Sequence, residues 1–469
     1  MEKSLPVQIL RSCTKKEFRE LRKWLHSPMH NQRPDVIKFF DYLLEDGHLF
    51  NDEDIQKEVV YRWVFGKVAY DDAKMRQTIY FFNKCLEEFL IYKELRQDEV
   101  RAHIALANVY RKRKLKKPFQ KNLKVTHKIQ EKQEFRNHQY LRNEYFLQNE
   151  LYYFQSGIKR IDLNLQEMSD ALDATYIADK IRQSCLMLAH QSVYKKKAYE
   201  IGMLDEVLQF AKVKNFLEFP AIAMYYYSYM AITDKENESH FQNLKNEISS
   251  HGYMFPKSEM RDILLLATNY CIGRINAGFP QYIRESFELF RWGLKEKTLL
   301  DEGVLSRYTF INIVTNATML KEYDWIENFI HEYESYLEKQ YRDNIVHYSL
   351  ARLHFEKGDY TSAMKLFSQV EYDDILMNLN AKVMQFKMFY EQDEFDVLES
   401  LLESMRNYLV RKKVIGYHKA NYKNIIRLTK KMLKINPYSQ SQKSKLLKEI
   451  EEANPLTERK WLLKQMELL

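Results

Sequence analysis

The sequence predicts an all-α protein in which an N-terminal helical domain is followed by stacked helical hairpins. Three observations carry that prediction. Gly and Pro number 11 and 9 in 469 residues, roughly 4% of the chain where about 12% is usual, so turns are scarce and helices long. Straight-chain residues such as Lys, Glu, Leu, Gln and Arg are abundant, and these lose little rotamer freedom in a helix. From about residue 176, helix-length segments alternate with short breaks at Gly202, Pro220, Pro256, Gly278–Pro280, Gly358, Gly416 and Pro437. No alternating strand pattern intervenes, and short loops between helices favour antiparallel neighbours.

The N-terminal domain is expected over residues 1–110. It opens with Thr14 and Glu17 at capping-box spacing ahead of "FRELRKWL". Pro28 and Pro34 then interrupt the helix after Leu25, because proline lacks the N–H that a helix interior needs. New helices follow in "DVIKFFDYLLE" and "EDIQKEVVYRWVF". After Gly66 a longer one places Ile79, Phe82, Leu86, Phe89 and Leu90 on one face. Long connecting helices are expected over 111–200. Phe119 to Ser156 contains no Gly or Pro, so it has the composition of one helix some 57 Å long at about 1.5 Å per residue. Its apolar positions are sparse before Phe135, so burial is expected in its second half. Residues 201–469 form the repeat region.

The stretch "SLARLHFEKGDYTSAMKLFSQV", residues 349–370, carries the repeat signal. Leu350 and Ala351 are followed by a Gly358–Asp359–Tyr360 turn and then by Ala363 and Phe367. Small residues at 351 and 363 suit closely approaching helices, and Gly358 suits a tight turn. This spacing resembles the tetratricopeptide repeat, with His347 in the Trp slot, His354 in the Tyr slot and Ile375 in place of the closing Pro. Tyr323 lies 37 residues before Tyr360 and Phe395 lies 35 after it, close to that repeat's period. The flanking hairpins have Val314 and Ile326, then Phe386 and Leu398, where small residues are expected, so their helices should sit farther apart. The chain as a whole also resembles an uncharacterised Bacteroidetes family of helical proteins. The cues are "LRKWLHSPMHN", "YDDAKMRQTIYFFNKCLEEFL", "RKRKLKKPF" and "LTERKWLLKQMELL". That resemblance implies a fold and a location but no activity.

Cys13, Cys85, Cys185 and Cys271 lie far apart without a C-x-x-C pair, which argues against a zinc knuckle or a disulfide framework. Met1 to Phe18 holds no apolar run of signal-peptide length. No segment reaches the roughly 18 apolar residues of a membrane span. The expectation is a soluble, cytoplasmic protein with no membrane contact.

Catalytic signatures are missing. "HEYES" at His331 begins like a metalloprotease helix, but Ser335 stands where the second ligand belongs. The glycines are scattered singly, so no phosphate-binding loop is formed. Neither G-x-S-x-G nor a kinase signature set is present. The expectation is therefore not an enzyme, with no cofactor and no metal.

A non-catalytic interaction scaffold binding a protein or peptide partner in a helical-repeat groove is what remains. By resemblance to tetratricopeptide domains, the groove-facing residues would be Tyr308, Ile311 and Thr315, then Tyr348, Arg352 and Phe355, then Val383, Lys387 and Tyr390. That mix suits apolar anchors with some negative charge. The Lys, Asn and Arg clamp of chaperone-tail-binding members is missing, its places being held by Ile311, Thr315, Ser349, Asn380 and Met384.

The alternative is a basic helical nucleic-acid-binding protein. The net charge is +8, and two blocks concentrate it. Arg111 to Gln130 holds nine Lys or Arg and no acid, and Ser404 to Lys448 holds thirteen and none. In the second, Lys419, Lys423, Arg427, Lys430 and Lys434 form a cationic stripe while Tyr422, Ile425, Met432 and Leu433 turn inward. Acidic neighbours at Glu449 to Glu452 would offset part of that stripe.

Overall fold

The computed structural model describes residues 1–157, 162–193, 199–370, 374–411 and 418–469. Gly416, one of the breaks expected from sequence, lies outside them, as do Lys412 and Lys413 of the second basic block. The protein is all-helical apart from one two-stranded ribbon among the described residues. It divides into two compact units, Met1–Asp179 and Lys180–Leu469.

The first unit begins with α1 (Leu5–Ser12), α2 (Lys15–Leu25), α3 (Pro34–Leu44), α4 (Lys57–Phe65) and α5 (Asp72–Gln97). The capping box forms as expected. The Thr14 N–H donates to Glu17 Oε2 at 2.7 Å, and the Glu17 N–H returns a bond to Thr14 Oγ1 at 3.3 Å. Pro34 occupies the first turn of α3, where its missing N–H costs nothing. Phe82, Leu86 and Phe89 of α5 meet Leu10, Leu25, Phe39 and Phe40 in one apolar core. Each such fully buried side chain contributes about 1.5–3 kcal/mol.

The region from residue 99 holds α6 (Glu99–Lys112), α7 (Lys116–Lys132), α8 (His138–Gln155) and α9 (Leu165–Val193). The single long helix expected over 119–156 is two helices. Asn137 interrupts it, its side chain accepting the Gln139 N–H at 3.2 Å and so starting α8 afresh. Burial is not confined to the second half either. The inward face of α7 is Phe119, Asn122, Thr126 and Gln130, and its polar members are hydrogen-bonded. Asn122 exchanges bonds with the His103 ring and the His103 carbonyl at 2.7 and 2.8 Å. Thr126 donates to the Asn122 carbonyl at 2.7 Å, and Gln130 to the Tyr140 carbonyl at 2.8 Å. The unit boundary falls inside α9, where neither Gly nor Pro marks it.

The second unit contains α10 (Leu204–Val213), α11 (Pro220–Thr233), α12 (Glu238–His251), α13 (Lys257–Asn276) and α14 (Gln281–Lys295). The ribbon of β1 (Leu300–Asp301) and β2 (Val304–Leu305) follows, turning through Glu302 and Gly303, both at positive φ. Then come α15 (Arg307–Met319), α16 (Tyr323–Tyr333), α17 (Arg342–Glu356), α18 (Tyr360–Phe367), α19 (Ile375–Glu391) and α20 (Phe395–Arg411). The chain finishes with α21 (His418–Leu433), α22 (Gln440–Glu452) and α23 (Arg459–Leu468). Consecutive helices pack in pairs: α11 on α12, α13 on α14, α15 on α16, α17 on α18 and α19 on α20. First helices also touch one another, α11 with α13, α15 with α17 and α17 with α19.

The turns inside these pairs repeat. After α13, α15, α17 and α19 a residue takes the left-handed conformation: Gly278 (φ 96), Lys321 (φ 60), Gly358 (φ 81) and Asp393 (φ 61). The next N–H reaches back to the carbonyl five residues earlier, with Phe279 on Arg274 at 3.1 Å, Glu322 on Ala317 at 3.0 Å, Asp359 on His354 at 2.9 Å and Glu394 on Phe389 at 2.9 Å. This is the Schellman closure of a helix end. Counted from these turns, Val314, Ala351 and Phe386 share one position, and Ile326, Ala363 and Leu398 another. All six are buried. With alanine at both positions, α17 and α18 lie in closer contact than α15 with α16 or α19 with α20.

Candidate functional site

The first helices α15, α17 and α19 present equivalent positions side by side. Counting back from the left-handed residue aligns Tyr308 with Ile345 and Asn380, and Ile311 with Tyr348 and Val383. It also aligns Thr315 with Arg352 and Lys387, and Thr318 with Phe355 and Tyr390.

A pocket of about 200 Å³ opens at the N-terminal end of these helices, lined by Tyr308, Ile311, Ile345, Tyr348 and Met377, with Arg307 at its edge. Tyr308 is 55% exposed, Ile311 is half-buried and Tyr348 is buried. Arg307 lies 4.0 Å from the Tyr341 ring centre and donates to the Tyr308 hydroxyl at 3.0 Å, which fixes the rim. Asp374 completes the lining, but its carboxylate is engaged as the N-cap of α19, accepting the Leu376 and Met377 N–H groups at 2.9 Å each. Burial raises the Tyr348 phenol pKa against the opposing pull of the Arg352 guanidinium, so the ring stays protonated and acts as a neutral polar wall.

Farther along the same face, Thr315 and Arg352 are half-buried. Arg352 forms no ion pair among the described residues and its buried Nε has no hydrogen-bond partner, the guanidinium otherwise bonding the neutral Tyr348 phenol. A guanidinium left in that state favours an incoming carboxylate.

The remaining predicted residues are engaged within the unit. Phe355 is buried and stacks on Tyr360, ring centres 5.6 Å apart. Lys387 sits 5.3 Å from the Phe355 ring centre and pairs with Glu458 at 3.0 Å. Val383 and Tyr390 belong to the apolar cluster that includes Trp461, Leu462 and Met466 of α23, with Tyr390 and Trp461 ring centres 5.4 Å apart. Glu391 ties this junction, accepting the Trp461 Nε1–H at 2.7 Å and the Gln465 Nε2–H at 3.3 Å. The structure therefore brings Tyr308, Ile311 and Tyr348 into one pocket, leaves Thr315 and Arg352 on the same face, joins Lys387 and Tyr390 to Glu458 and Trp461, and buries Val383 and Phe355 in the unit's apolar interior. Arg307, Ile345 and Met377 were not among the expected residues. Ile345 and Tyr308 share a position relative to their turns, and that equivalence is a signal that would have found it.

The two basic blocks differ. In α21, Lys430 pairs with Glu403 at 2.8 Å, while Arg427 and Lys431 share Glu449 at 2.9 and 2.6 Å. Tyr422, Ile425 and Met432 are buried as the stripe pattern requires, and Leu433 packs partly buried against the same cluster. In the first block, Arg111 pairs with Glu150 at 2.8 Å.

Burial pushes the Cys185 and Cys271 thiols up, which removes them as thiolate nucleophiles. Among the described residues no cluster of His, Cys, Asp and Glu is arranged to hold a metal ion, and no helix is long and apolar enough to cross a membrane. No protein-family model, curated protein or solved structure matches this chain.

Proposed function

We propose that the second unit is a helical-hairpin solenoid, a degenerate form of the tetratricopeptide architecture, and that it serves as a non-catalytic cytoplasmic scaffold for a peptide or protein partner. The observation that carries the reading is the pocket between three successive first helices, where Tyr308, Ile311 and Tyr348 converge beside Arg352. An apolar recess next to an uncompensated guanidinium suits a segment with one aromatic or aliphatic anchor followed by an acidic residue.

Two features support the stacked arrangement. The Schellman turn recurs at Gly278, Lys321, Gly358 and Asp393. A tyrosine at the start of the second helix also reaches the end of the next first helix, Tyr323 bonding the Glu356 carbonyl at 3.4 Å and Tyr360 the Glu391 carboxylate. Such rungs are what consecutive hairpins leaning on one another in the same sense would supply.

The test is selection from a displayed peptide library on the full chain, followed by affinity measurement with the enriched peptide. Tyr308→Ala and Arg352→Glu should each weaken binding about tenfold or more, as truncation of an interface anchor does. Far-UV circular dichroism of the half-exposed Tyr308 variant should be unchanged. Peptides that bind both variants as tightly as the parent would remove this pocket as the site.

A further inference from the structure

We propose that the α6–α7 hairpin is a nucleic-acid-binding surface that grips the phosphate backbone without reading bases. The inference is independent of the groove and concerns the other unit of the chain.

The two basic blocks both lack Asp and Glu in sequence but differ in how many of their cations are paired. In α21 the central cations are consumed by Glu403 and Glu449, and Lys431 and Arg427 in turn hold the Glu449 carboxyl below its usual range. The middle of that stripe is thus balanced, while Lys419, Lys423 and Lys434 form no ion pair among the described residues. In the α6–α7 hairpin the acids stand only at the two ends, Glu99 and Glu131. Between Val100 and Gln130 the chain contains neither Asp nor Glu. The neighbouring Glu150 is already taken by Arg111 at 2.8 Å and Asn108 at 2.9 Å.

Lys112, Arg113, Lys114 and Lys116 surround the turn, all exposed. Lys117, Lys121, Lys124 and Lys128 continue from it along α7, also exposed. None of these eight forms an ion pair among the described residues. The row follows a 4, 3, 4 spacing, which keeps it on one side of the helix. At about 1.5 Å per residue it is some 16 Å long, enough to follow about five phosphates of one strand. Eight uncompensated cations repel one another, and a polyanion relieves that repulsion while releasing its own counterions.

The chemistry beside the row selects among polyanions. Between residues 112 and 128 Phe119 is buried and the His127 ring is half-buried, so no fully exposed ring is offered for base stacking. The exposed large apolar side chains there are Leu115 and Val125. Attachment to a lipid surface by an amphipathic helix needs an apolar face to insert, and the inward face of α7 is already spent on the fold. Backbone contact with RNA or DNA is what the surface fits.

The experiment measures binding of the full chain to a fluorescent single-stranded RNA, a duplex DNA of similar length, and phosphatidylserine–phosphatidylcholine vesicles, each at 50 and 200 mM salt. Neutralising about five phosphates gives a log–log salt slope near −4 on duplex DNA, so affinity should fall roughly a hundredfold or more between the two salts. Lys117→Glu combined with Lys121→Glu and Lys124→Glu should abolish binding at 50 mM. The three corresponding Arg substitutions should retain it, showing that charge and not local folding is read. Arg427→Gln with Lys431→Gln should leave it within twofold. No binding by the parent chain at 50 mM, full binding by the Glu variant, loss with the α21 variant, or attachment to vesicles without attachment to nucleic acid would each overturn the proposal.

Discussion

The recurring helix-end turn makes a prediction of opposite sign at equivalent positions. Gly358 and Lys321 hold the same left-handed backbone, at φ 81 and φ 60. A Cβ added at Gly358 meets nothing within 4 Å, so Gly358→Ala creates no clash and its cost is confined to the backbone. That cost is about 1–2 kcal/mol for a β-carbon in the left-handed region, offset by about 0.4–1 kcal/mol from the reduced freedom of the unfolded chain. The net loss should be near 1 kcal/mol. Lys321 is exposed and already carries the β-carbon penalty, so Lys321→Gly should run the same balance backwards and stabilise by up to about 1 kcal/mol. Asp393→Gly should gain less, because Asp tolerates this conformation better than Lys. Calorimetry checks it, taking the transition of the second unit, assigned by the fluorescence of Trp292, Trp325 and Trp461 in a chain with Trp24 and Trp63 replaced by Phe. Gly358→Ala should lower its midpoint by about 2 °C or slightly more, and Lys321→Gly should raise it by about as much or less. Destabilisation by Lys321→Gly of the size seen for Gly358→Ala would refute the equivalence of the turns, and the alignment of the groove residues would go with it.

Two further predictions concern stability. Hydrogen bonds from the Thr14 backbone, with Lys93 and the Thr14 hydroxyl adding to them, hold the Glu17 carboxyl at about 2 instead of 4.5. A depressed folded-state value contributes stability above the unfolded value and loses it as pH falls, so the first unit should weaken between about pH 4.5 and 2. After allowance for solvent screening the loss is about 1–2 kcal/mol, and Glu17→Gln should flatten that part of the pH–stability curve in urea titrations. At Gly293 a Cβ would come within 2.8 Å of Leu299 Cγ and 3.0 Å of Leu264 Cδ1. Gly293→Ala should therefore cost about 1–3 kcal/mol through overpacking, read as a lowered urea midpoint of the second unit, and an unchanged midpoint would show that the leucines yield freely.

Local chemistry was legible in the sequence wherever a residue type is committed to one conformation. The capping box at Thr14, the helix starts at Pro34 and Pro220, and the Gly358 turn all follow from what those residues can and cannot do. The turns at Lys321 and Asp393 were hidden because neither residue advertises a positive φ. The break at Asn137 was hidden for a related reason, since a cap residue inside a run of helix formers leaves no trace in hydropathy. Hydropathy also missed the inward face of α7, where Asn122, Thr126 and Gln130 are buried through hydrogen bonds. At the candidate site, Tyr308, Ile311 and Tyr348 of the nine expected residues line one pocket. The return of α23 onto α19 through Glu458 and Trp461 joins residues some seventy positions apart in sequence, and no local signal encodes it.

That polar inner seam of α7 has a mechanical consequence. Greasy interfaces tolerate sliding and rolling, whereas the bonds that the Asn122 and Gln130 amides make to His103 and Tyr140 on neighbouring helices accept a single register. Advancing α7 by one residue would swing its side chains about 100° around the axis and strand the Asn122 and Gln130 amides without partners. The bearing of the outward lysine row is thus set by groups on the far side of the helix, which orient the backbone the lysines stand on.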